Sequence, residues 1–294
     1  MTHLPPTERE SSKSGGLDCL STEQIVALIA ADQRDAVAAV LAQTPAIADA
    51  IDEIARRLRN GGALHYVGAG SSGRIATLDA SEMAPTFGTP PELVRSHVAG
   101  GEAALVRSME GGEDDSEAGA AVVRDFIRPH DAVVGLSASG SAAFVVTALE
   151  RAKERGAFTV ALTSVAGSPL ALAACRAIVL DTGPEVLTGS TRLKAGTAQK
   201  IALNAISTGV MIRLGKVYDN LMVDVVAGNR KLRARALRLV ERLARVDERQ
   251  ARELLAAAEG RVKVAVVMER RHVDAAEARS LLERCDGALR PLLP

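Results

Sequence analysis

Two short turns rich in serine and glycine carry side chains suited to binding a small anion. They read Gly-Ala-Gly-Ser-Ser-Gly-Arg at 68–74 and Ser-Ala-Ser-Gly-Ser at 137–141. Each turn follows a short apolar run and precedes a helical pattern. Free amides at a helix start, together with serine hydroxyls, can surround a phosphate or the hydroxyls of a sugar. The candidate binding residues are Gly70, Ser71, Ser72, Arg74, Ser137, Ser139, Gly140 and Ser141.

The first turn also has the spacing G-x-G-x-x-G found in dinucleotide-binding proteins. Such a site needs an acidic residue about 20 positions further on, which holds the ribose. The corresponding segment, residues 97–101, reads His-Val-Ala-Gly-Gly and contains no acid. A nicotinamide-dependent dehydrogenase is therefore a minor alternative.

A third polar segment, residues 185–200, adds basic side chains. Its sequence predicts that Ser190 and Thr191 cap a helix whose first turns contain Lys194 and two other cations. Cations at a helix N-terminus oppose the helix dipole, and a bound anion would offset that cost. Ser190, Thr191 and Lys194 are therefore further candidates for anion binding, although exposed basic residues on a capped helix would give the same pattern.

Two glutamates are candidates for proton transfer. Glu82 stands just before Pro85 and Gly88, which end a helix and place the carboxylate near the loops. Glu113 belongs to an acidic segment with five carboxylates in positions 110–117. A positioned carboxylate can act as a general acid or base, although a solvated acidic turn would have the same composition.

The sequence gives little support for other kinds of catalytic site. No arrangement resembles a Ser-His-Asp triad or a metal site, so the sequence predicts neither a metal nor a cofactor. Cys175 and His65 lie in apolar stretches and are expected in the core. Three cysteines without metal-ligand spacing fit reduced thiols in a cytoplasmic protein.

The elements that must position these residues follow from the apolar periodicity. Short apolar strands alternate with helices, which predicts a parallel sheet covered on both faces, a three-layer α-β-α sandwich. Ligands of such sheets bind at the carboxyl ends of the strands. The predicted strands are 63–67, 93–98, 131–136, 158–164 and 177–181, and the clearest helices are 21–44 and 191–214.

The C-terminal part differs in composition and pattern. Strand patterns disappear from about residue 229, and short helices are predicted at 247–259, 260–271 and 274–285. Residues 230–294 contain 16 Lys and Arg against 10 Asp and Glu. This excess would suit a docking face, but solvated helix surfaces are the simpler interpretation. We divide the chain into an N-terminal arm with helices (1–50), an α/β domain (51–217) and a helical region (218–294).

Overall composition excludes several classes of partner. The 294 residues include 36 Lys and Arg and 36 Asp and Glu, so no net charge attracts nucleic acid or an anionic membrane. Only 2% of residues are aromatic, which disfavours ligand binding by stacking. Two long apolar stretches, 132–149 and 156–175, are each interrupted by loop residues, which argues against a membrane span. The N-terminus has no apolar segment typical of a signal peptide. The sequence predicts no membrane contact.

Longer segments resemble the N-acetylmuramic acid 6-phosphate etherase family, whose core is a sugar isomerase (SIS) domain. The most specific are DASEMAPTFG (79–88) and TGSTRLKAGTAQK (188–200). The resemblance covers about residues 7–230 and extends to the tail, which is similar to the family's small UBA-like three-helix end. It implies an SIS domain in 51–217 and a UBA-like end within 218–294.

The resemblance also implies an activity. The family cleaves the D-lactyl ether of N-acetylmuramic acid 6-phosphate by elimination and then hydration, giving N-acetylglucosamine 6-phosphate and D-lactate in peptidoglycan recycling. Glu82 matches the family's proton donor and Glu113 its second acid/base. Ser137 and Ser139 are expected on the phosphate, with Ser71 and Ser72 on the sugar side. A cytoplasmic homodimer is expected, with sites completed across the interface.

Two departures from the family pattern concern the turns. Ala142 stands where SIS domains often use a threonine hydroxyl on phosphate, so Ser141 substitutes for it or phosphate binding is weaker. Ser71 replaces a usual threonine and keeps the hydroxyl. Two other functions stay open on the same fold, namely a non-catalytic sugar-phosphate sensor and an aldose–ketose isomerase, which would need no acid for a leaving group.

Overall fold

A parallel sheet forms the centre of the first part of the chain. The computed structural model describes residues 4–107, 109, 111–225 and 230–293. The sheet has the order β2-β1-β3-β4-β5, and each neighbouring pair is parallel. All five predicted strands are confirmed, although the last ends at 179 rather than 181. The strands are β1 (Leu64–Gly68), β2 (Val94–Val98), β3 (Ala132–Leu136), β4 (Phe158–Thr163) and β5 (Arg176–Val179).

Helices occupy most of the remaining chain, and a short antiparallel hairpin of β6 (Val217–Tyr218) and β7 (Leu221–Met222) interrupts them. Ser21 and Gln24 form a capping box at the start of the first helix. The helices are α1 (Thr22–Ala42), α2 (Thr44–Arg59), α3 (Gly70–Ser81), α4 (Met83–Phe87), α5 (Ala103–Val106), α6 (Ser116–Phe126), α7 (Ala143–Glu154), α8 (Pro169–Ala173), α9 (Lys194–Arg213), α10 (Arg230–Val240), α11 (Glu248–Ala257), α12 (Val262–Arg271) and α13 (Ala275–Arg284).

The chain forms two compact units. The first comprises Met1–Ala80 and Glu92–Ser207 and contains the parallel sheet. The second comprises Ser81–Pro91 and Thr208–Pro294 and contains the hairpin and the C-terminal helices. Each unit has its own buried apolar cluster.

Helices α6, α7 and α8 cover one face of the sheet. Gly135 of β3 lets α7 approach closely, because a Cβ there would lie 2.3 Å from a methyl carbon of Leu149. Gly119 of α6 serves the same purpose, since its Cβ would lie 2.2 Å from the carbonyl oxygen of Phe144. These tight contacts fix the start of α7, which follows the second serine turn.

The other face carries a buried polar network beneath α3 and α9. The Tyr66 hydroxyl donates to one carboxylate oxygen of Asp79 at 2.9 Å. The other oxygen accepts from the Asn204 amide at 2.7 Å and the Ser207 hydroxyl at 3.1 Å. Burial beside this carboxylate raises the pKa of Tyr66 well above its ordinary value. Helices on both faces confirm the predicted α/β layering.

The second unit packs around an apolar cluster that includes Val240, Ala265 and Val266. Helices α11, α12 and α13 confirm the three predicted C-terminal helices, while their likeness to a UBA domain stays a prediction. Nothing in the sequence indicated the hairpin, because strands of two residues are too short to show a period. The ammonium group of Lys263 donates to Asp224 at 2.6 Å and to the Gly287 carbonyl at 2.8 Å.

Two expectations about core residues have different outcomes. His65 is buried as predicted, and its Nδ1 lies 2.9 Å from Nε2 of His97. The prediction for Cys175 is wrong, because this residue is exposed just before β5, an edge strand with a neighbour on one side only. Among the described residues, no helix combines the length and apolar character needed to cross a bilayer.

Candidate active site

The two serine turns leave the sheet side by side. In the parallel register Gly68, the last residue of β1, is opposite Leu136 of β3 and Val98 of β2. The turn at 69–73 therefore starts at the same level as the turn at 137–141 and the segment after β2. This shared edge is the carboxyl end of the strands, where ligands of parallel sheets bind.

Glycines shape the first turn. A Cβ at Gly73 would lie 2.7 Å from a methyl carbon of Val98 and 2.9 Å from the Gly68 oxygen. Gly70 begins α3 with φ of +53°, a conformation that glycine adopts readily. Ser71 is half-buried, and the Ser72 hydroxyl donates to the Gln199 side chain at 2.9 Å. The turn therefore lies tightly against the sheet, with Ser72 held by α9.

The second turn gathers three hydroxyl groups. The Ser139 Oγ lies 3.4 Å from that of Ser137 and 2.8 Å from that of Ser141. Gly140 has φ of +70°, and a Cβ there would lie 2.2 Å from Oγ of Ser168. Only glycine fits this position without displacing the start of α8. The compact turn presents hydroxyls that can donate to an anion.

The start of α7 adds backbone donors to this turn. Its N-cap is Ala142, whose methyl side chain cannot accept a hydrogen bond from the first-turn amides. Oriented amides and adjacent hydroxyls together suit a phosphate. The missing threonine hydroxyl at position 142 thus leaves these amides without a side-chain acceptor.

Glu113 lies on a cavity of about 330 Å³ in the first unit. The acid belongs to a single 3₁₀ turn, Gly112–Asp114, and its side chain is exposed. This turn packs on the segment after β2, since a Cβ at Gly112 would lie 3.4 Å from the Gly100 nitrogen. The lining residues are Gly70, Arg74, Ala99, Ala104, Met109, Gly111 and Glu113.

Arg74 lines this cavity and also holds one of its walls. Its Nε donates to the carbonyl oxygens of Ala104 and Leu105 at 3.1 and 3.2 Å. A terminal nitrogen donates to the Arg107 oxygen at 3.1 Å. These three bonds tie the α5 segment to α3. Arg74 thus supports the wall, and it contributes a positive charge beside Glu113.

Glu82 follows the last residue of α3 and is the N-cap of α4. The side chain is exposed, and the residue belongs to the second unit. Helix α3 begins at Gly70 of the first turn and ends at Ser81, the residue before Glu82. Its 12 residues make a helix about 18 Å long, so Glu82 follows the opposite end of α3 from the first turn.

The segment 185–200 differs from its prediction. The helix begins at Lys194, so Ser190 and Thr191 lie in the preceding turn and do not cap it. Both residues are half-buried. The Glu185 carboxylate takes the capping role, accepting from the amides of Lys194 at 3.0 Å and Ala195 at 2.9 Å.

Lys194 is buried and already paired. Its ammonium lies 3.1 Å from a carboxylate oxygen of Asp32 and 3.3 Å from one of Asp35, and 2% of its side chain is exposed. The cost of a cation at a helix start is therefore offset by acids of the protein itself. We consequently leave Lys194 out of the proposed ligand set and retain Ser190 and Thr191 as candidates.

Gln199 is a residue that sequence reasoning missed. It is 1% exposed, and its carboxamide oxygen accepts from Ser72. Its Nε2 atom has no hydrogen-bond partner among the described residues. A buried amide donor without a partner is costly unless a ligand or water completes it. Only the fold brings Gln199 to the first turn, since 127 positions separate it from Ser72.

Family comparisons agree with this geometry. Residues 113–208 match the SIS domain, and residues 46–153 match the family described as the glucokinase regulatory protein N-terminal SIS domain. The chain is therefore an SIS-domain protein with its serine turns at the carboxyl edge of the sheet.

Relatives along nearly the full chain narrow this class. The N-acetylmuramic acid 6-phosphate etherase of Symbiobacterium thermophilum is 51% identical, over 89% of this chain and 87% of the relative. That of Deinococcus radiodurans is 45% identical, over 100% of this chain and 96% of the relative. The chain belongs to the N-acetylmuramic acid 6-phosphate etherase family.

A solved structure supports the fold alone. The phosphoheptose isomerase of Francisella tularensis is 21% identical with a TM-score of 0.50, over 66% of this chain and 99% of that chain. At this identity the likeness shows a shared architecture and carries no statement about substrate.

Proposed function

We propose that this protein is a lyase that cleaves the D-lactyl ether of N-acetylmuramic acid 6-phosphate. Elimination followed by hydration gives N-acetylglucosamine 6-phosphate and D-lactate. The observation that carries the proposal is the identity of 45–51% to relatives named for this reaction, over nearly the whole chain. The serine turns and the cavity beside Glu113 suit a phosphorylated sugar.

The chemistry explains why two carboxylates are required. An unactivated ether resists hydrolysis, but the C2 hydrogen becomes acidic when the sugar ring opens to its aldehyde. A base removes this proton, the C3–O bond breaks, and an acid protonates the departing lactate oxygen. Water then adds across the C2=C3 bond, placing its hydroxyl on C3 and a proton on C2. The sum is substrate plus water giving the two products.

We assign the C2 proton to Glu113 and the leaving oxygen to Glu82. Glu113 suits the base because it lines the cavity with Gly70 of the first turn. Each positioned acid or base supplies about 10²–10⁴-fold in rate. Phosphate binding falls to the hydroxyls of Ser137, Ser139 and Ser141 and to the α7 amides. Ser71 and Ser72 then face the sugar.

We also propose a homodimer in which Glu82 reaches the sugar bound by the other subunit. The support comes from α3, which has Gly70 of the first turn at one end and Glu82 just after the other. A helix of this length, about 18 Å, lies between the two residues within one chain. Mixing inactive Glu82→Gln and Glu113→Gln variants tests this. Random assortment makes half of the dimers mixed, each with one intact site, so about a quarter of the turnover returns. No recovery in mixed dimers contradicts shared sites.

The reaction itself is tested with N-acetylmuramic acid 6-phosphate in ¹⁸O-water. We expect D-lactate without label and the amino sugar labelled at C3. Label in the lactate contradicts elimination. Absence of lactate contradicts the function and favours an isomerase or a sensor.

The glutamate roles are tested by Glu113→Gln against Glu117→Gln, an exposed acid of the same segment outside the cavity. We expect Glu113→Gln and Glu82→Gln to lose about 10²–10⁴-fold in kcat. Substrate affinity should stay within about tenfold, and the Glu117 variant should keep its kcat. Unchanged turnover in either glutamine variant contradicts that residue's role.

A further inference from the structure

Three arginines of the second unit face one cavity. Arg235, Arg238 and Arg242 recur at i, i+3 and i+7, a spacing that places side chains on one side of a helix. The first two belong to α10 and the third to the π-helical turn Glu241–Arg245 that continues it. The cavity has a volume of about 440 Å³, and its other lining residues are Asn220, Leu221, Met222 and Leu239.

Some arginines of this unit have acidic partners, but the three that line the cavity do not. Arg252 pairs with Glu248, Arg279 with Glu259 and Arg249 with Glu253. Within the described part of the chain, none of the three cavity arginines forms an ion pair or a side-chain hydrogen bond.

Like charges gathered without a counterion repel one another, and that repulsion weakens folding unless a ligand neutralises it. Asp219 of the hairpin turn and Glu241 beside Arg242 are not among the described residues that line the cavity. Asp224, which follows the hairpin, pairs with Lys216 at 3.1 Å and Lys263 at 2.6 Å. Its charge is therefore committed elsewhere. The unmet charge in the cavity is positive.

The cavity chemistry defines the class of ligand. A guanidinium group presents a planar fork that matches phosphate oxygens. A phosphomonoester carries about 1.5 to 2 negative charges near neutral pH, which balances several arginines better than one carboxylate does. The hairpin adds an amide side chain and two apolar side chains for a small organic group. A volume of about 440 Å³ is within the range of small-molecule pockets.

We propose that this cavity is a binding site for a small phosphomonoester, made by α10, the π-helical turn and the hairpin. None of its residues belongs to the serine turns or to the two catalytic glutamates. The site gives the second unit a ligand of its own, which explains part of the basic excess of residues 230–294. The inference does not depend on the proposed etherase activity.

Calorimetric titration tests the proposal, with inorganic phosphate and glucose 6-phosphate as probes. The full chain should carry Ser137→Ala and Ser139→Ala, so that the serine turns bind phosphate weakly. In this background we expect one saturable site per chain, with glucose 6-phosphate binding more tightly than phosphate. Adding Arg238→Gln and Arg242→Gln should weaken binding at least about tenfold, because a charge-assisted hydrogen bond contributes substantially to affinity.

Lys231→Gln with Arg233→Gln is the matched control. This double variant removes the same two charges from exposed positions of α10 outside the cavity, and we expect unchanged affinity. Equal weakening by the control variant would mean general charge attraction and would overturn the site. Absence of saturable binding in the background, with both units folded by circular dichroism, would overturn it too.

Turnover distinguishes this inference from the proposed function. In the chain with native serines, Arg238→Gln with Arg242→Gln should leave the kcat of lactate release within about twofold. A large loss of kcat would place these arginines at the reaction and overturn a separate site. Absence of lactate release from the unaltered chain would instead contradict the etherase proposal and leave the binding result standing.

Discussion

Replacing Lys194 by methionine separates a structural role from a ligand role. The lysine side chain is 2% exposed and the Asp32 side chain 1% exposed, with 3.1 Å between their charged atoms. The second oxygen of Asp32 has no hydrogen-bond partner among the described residues. Lys194→Met therefore removes the hydrogen bond from Lys194 to the buried Asp32 carboxylate. Loss of one partner of a buried pair costs about 3–5 kcal/mol of stability.

This loss should be visible in thermal unfolding. For a chain of this size about 3–5 kcal/mol lowers Tm by roughly 10 °C. The double variant Lys194→Met with Asp32→Asn should recover part of the loss, because it removes the buried carboxylate, whose remaining cation is the exposed Lys13 at 3.9 Å. Lys153→Met, on an exposed position of α7, is the control and should leave Tm nearly unchanged.

The kinetic readout decides between the two roles. If Lys194 is structural, folded Lys194→Met protein keeps a KM for N-acetylmuramic acid 6-phosphate within about threefold, measured well below its Tm. If Lys194 binds the phosphate, KM rises at least about tenfold while Tm stays near that of the unaltered chain. The second result would refute the structural assignment.

Two other perturbations test local features. Gly140→Ala places an alanine in a left-handed conformation and in a clash with Ser168. The free energy of unfolding, measured in urea, should therefore fall by about 2–4 kcal/mol. An unchanged value would contradict the close contact between Gly140 and Ser168. Burial lowers the pKa of His97 to about 4, and the neighbouring His65 and Arg95 side chains add to this effect. The unfolded chain then binds this proton more readily, so stability falls as pH drops from about 6.5 to 4, by up to about 3 kcal/mol. Urea titrations across this range should show a shallower fall for His97→Gln, and equal slopes would contradict the assignment.

The strands and turns of the first unit could be predicted because their signals are local. Each strand is a short apolar run followed by glycine or serine, and parallel register then brings successive turns to one edge. The sequence pattern alone therefore predicts that the turns at 68–74 and 137–141 lie at the same edge of the sheet. Glycine requirements, such as that at Gly140, only become apparent once Ser168 is placed beside it.

Long-range pairs could not be predicted in this way. Lys194 meets Asp32 across 162 positions, and a pattern of 16 residues around Lys194 gives no sign of that partner. The sequence pattern therefore predicts an unpaired lysine at this position. Gln199 reaches Ser72 across 127 positions by the same kind of contact. The hairpin at 217–222 could not be predicted for a different reason. Its strands have two residues each, too few to show the alternation of apolar and polar residues that is typical of a strand.

These pairings limit the means by which the first unit would bind the phosphate of the proposed substrate. The charge of Lys194 is met by Asp32, and Glu185 accepts the amides at the start of α9, so these buried charges stabilise the fold. Under the proposed function, recognition of a phosphate at the second turn would rely on dipoles, namely three serine hydroxyls and the α7 amides. Dipoles fixed by packing carry no net charge, so such a site would need no lysine or arginine side chain. The arginine cavity of the second unit would achieve the same recognition by the opposite means, through charges that the protein leaves unpaired.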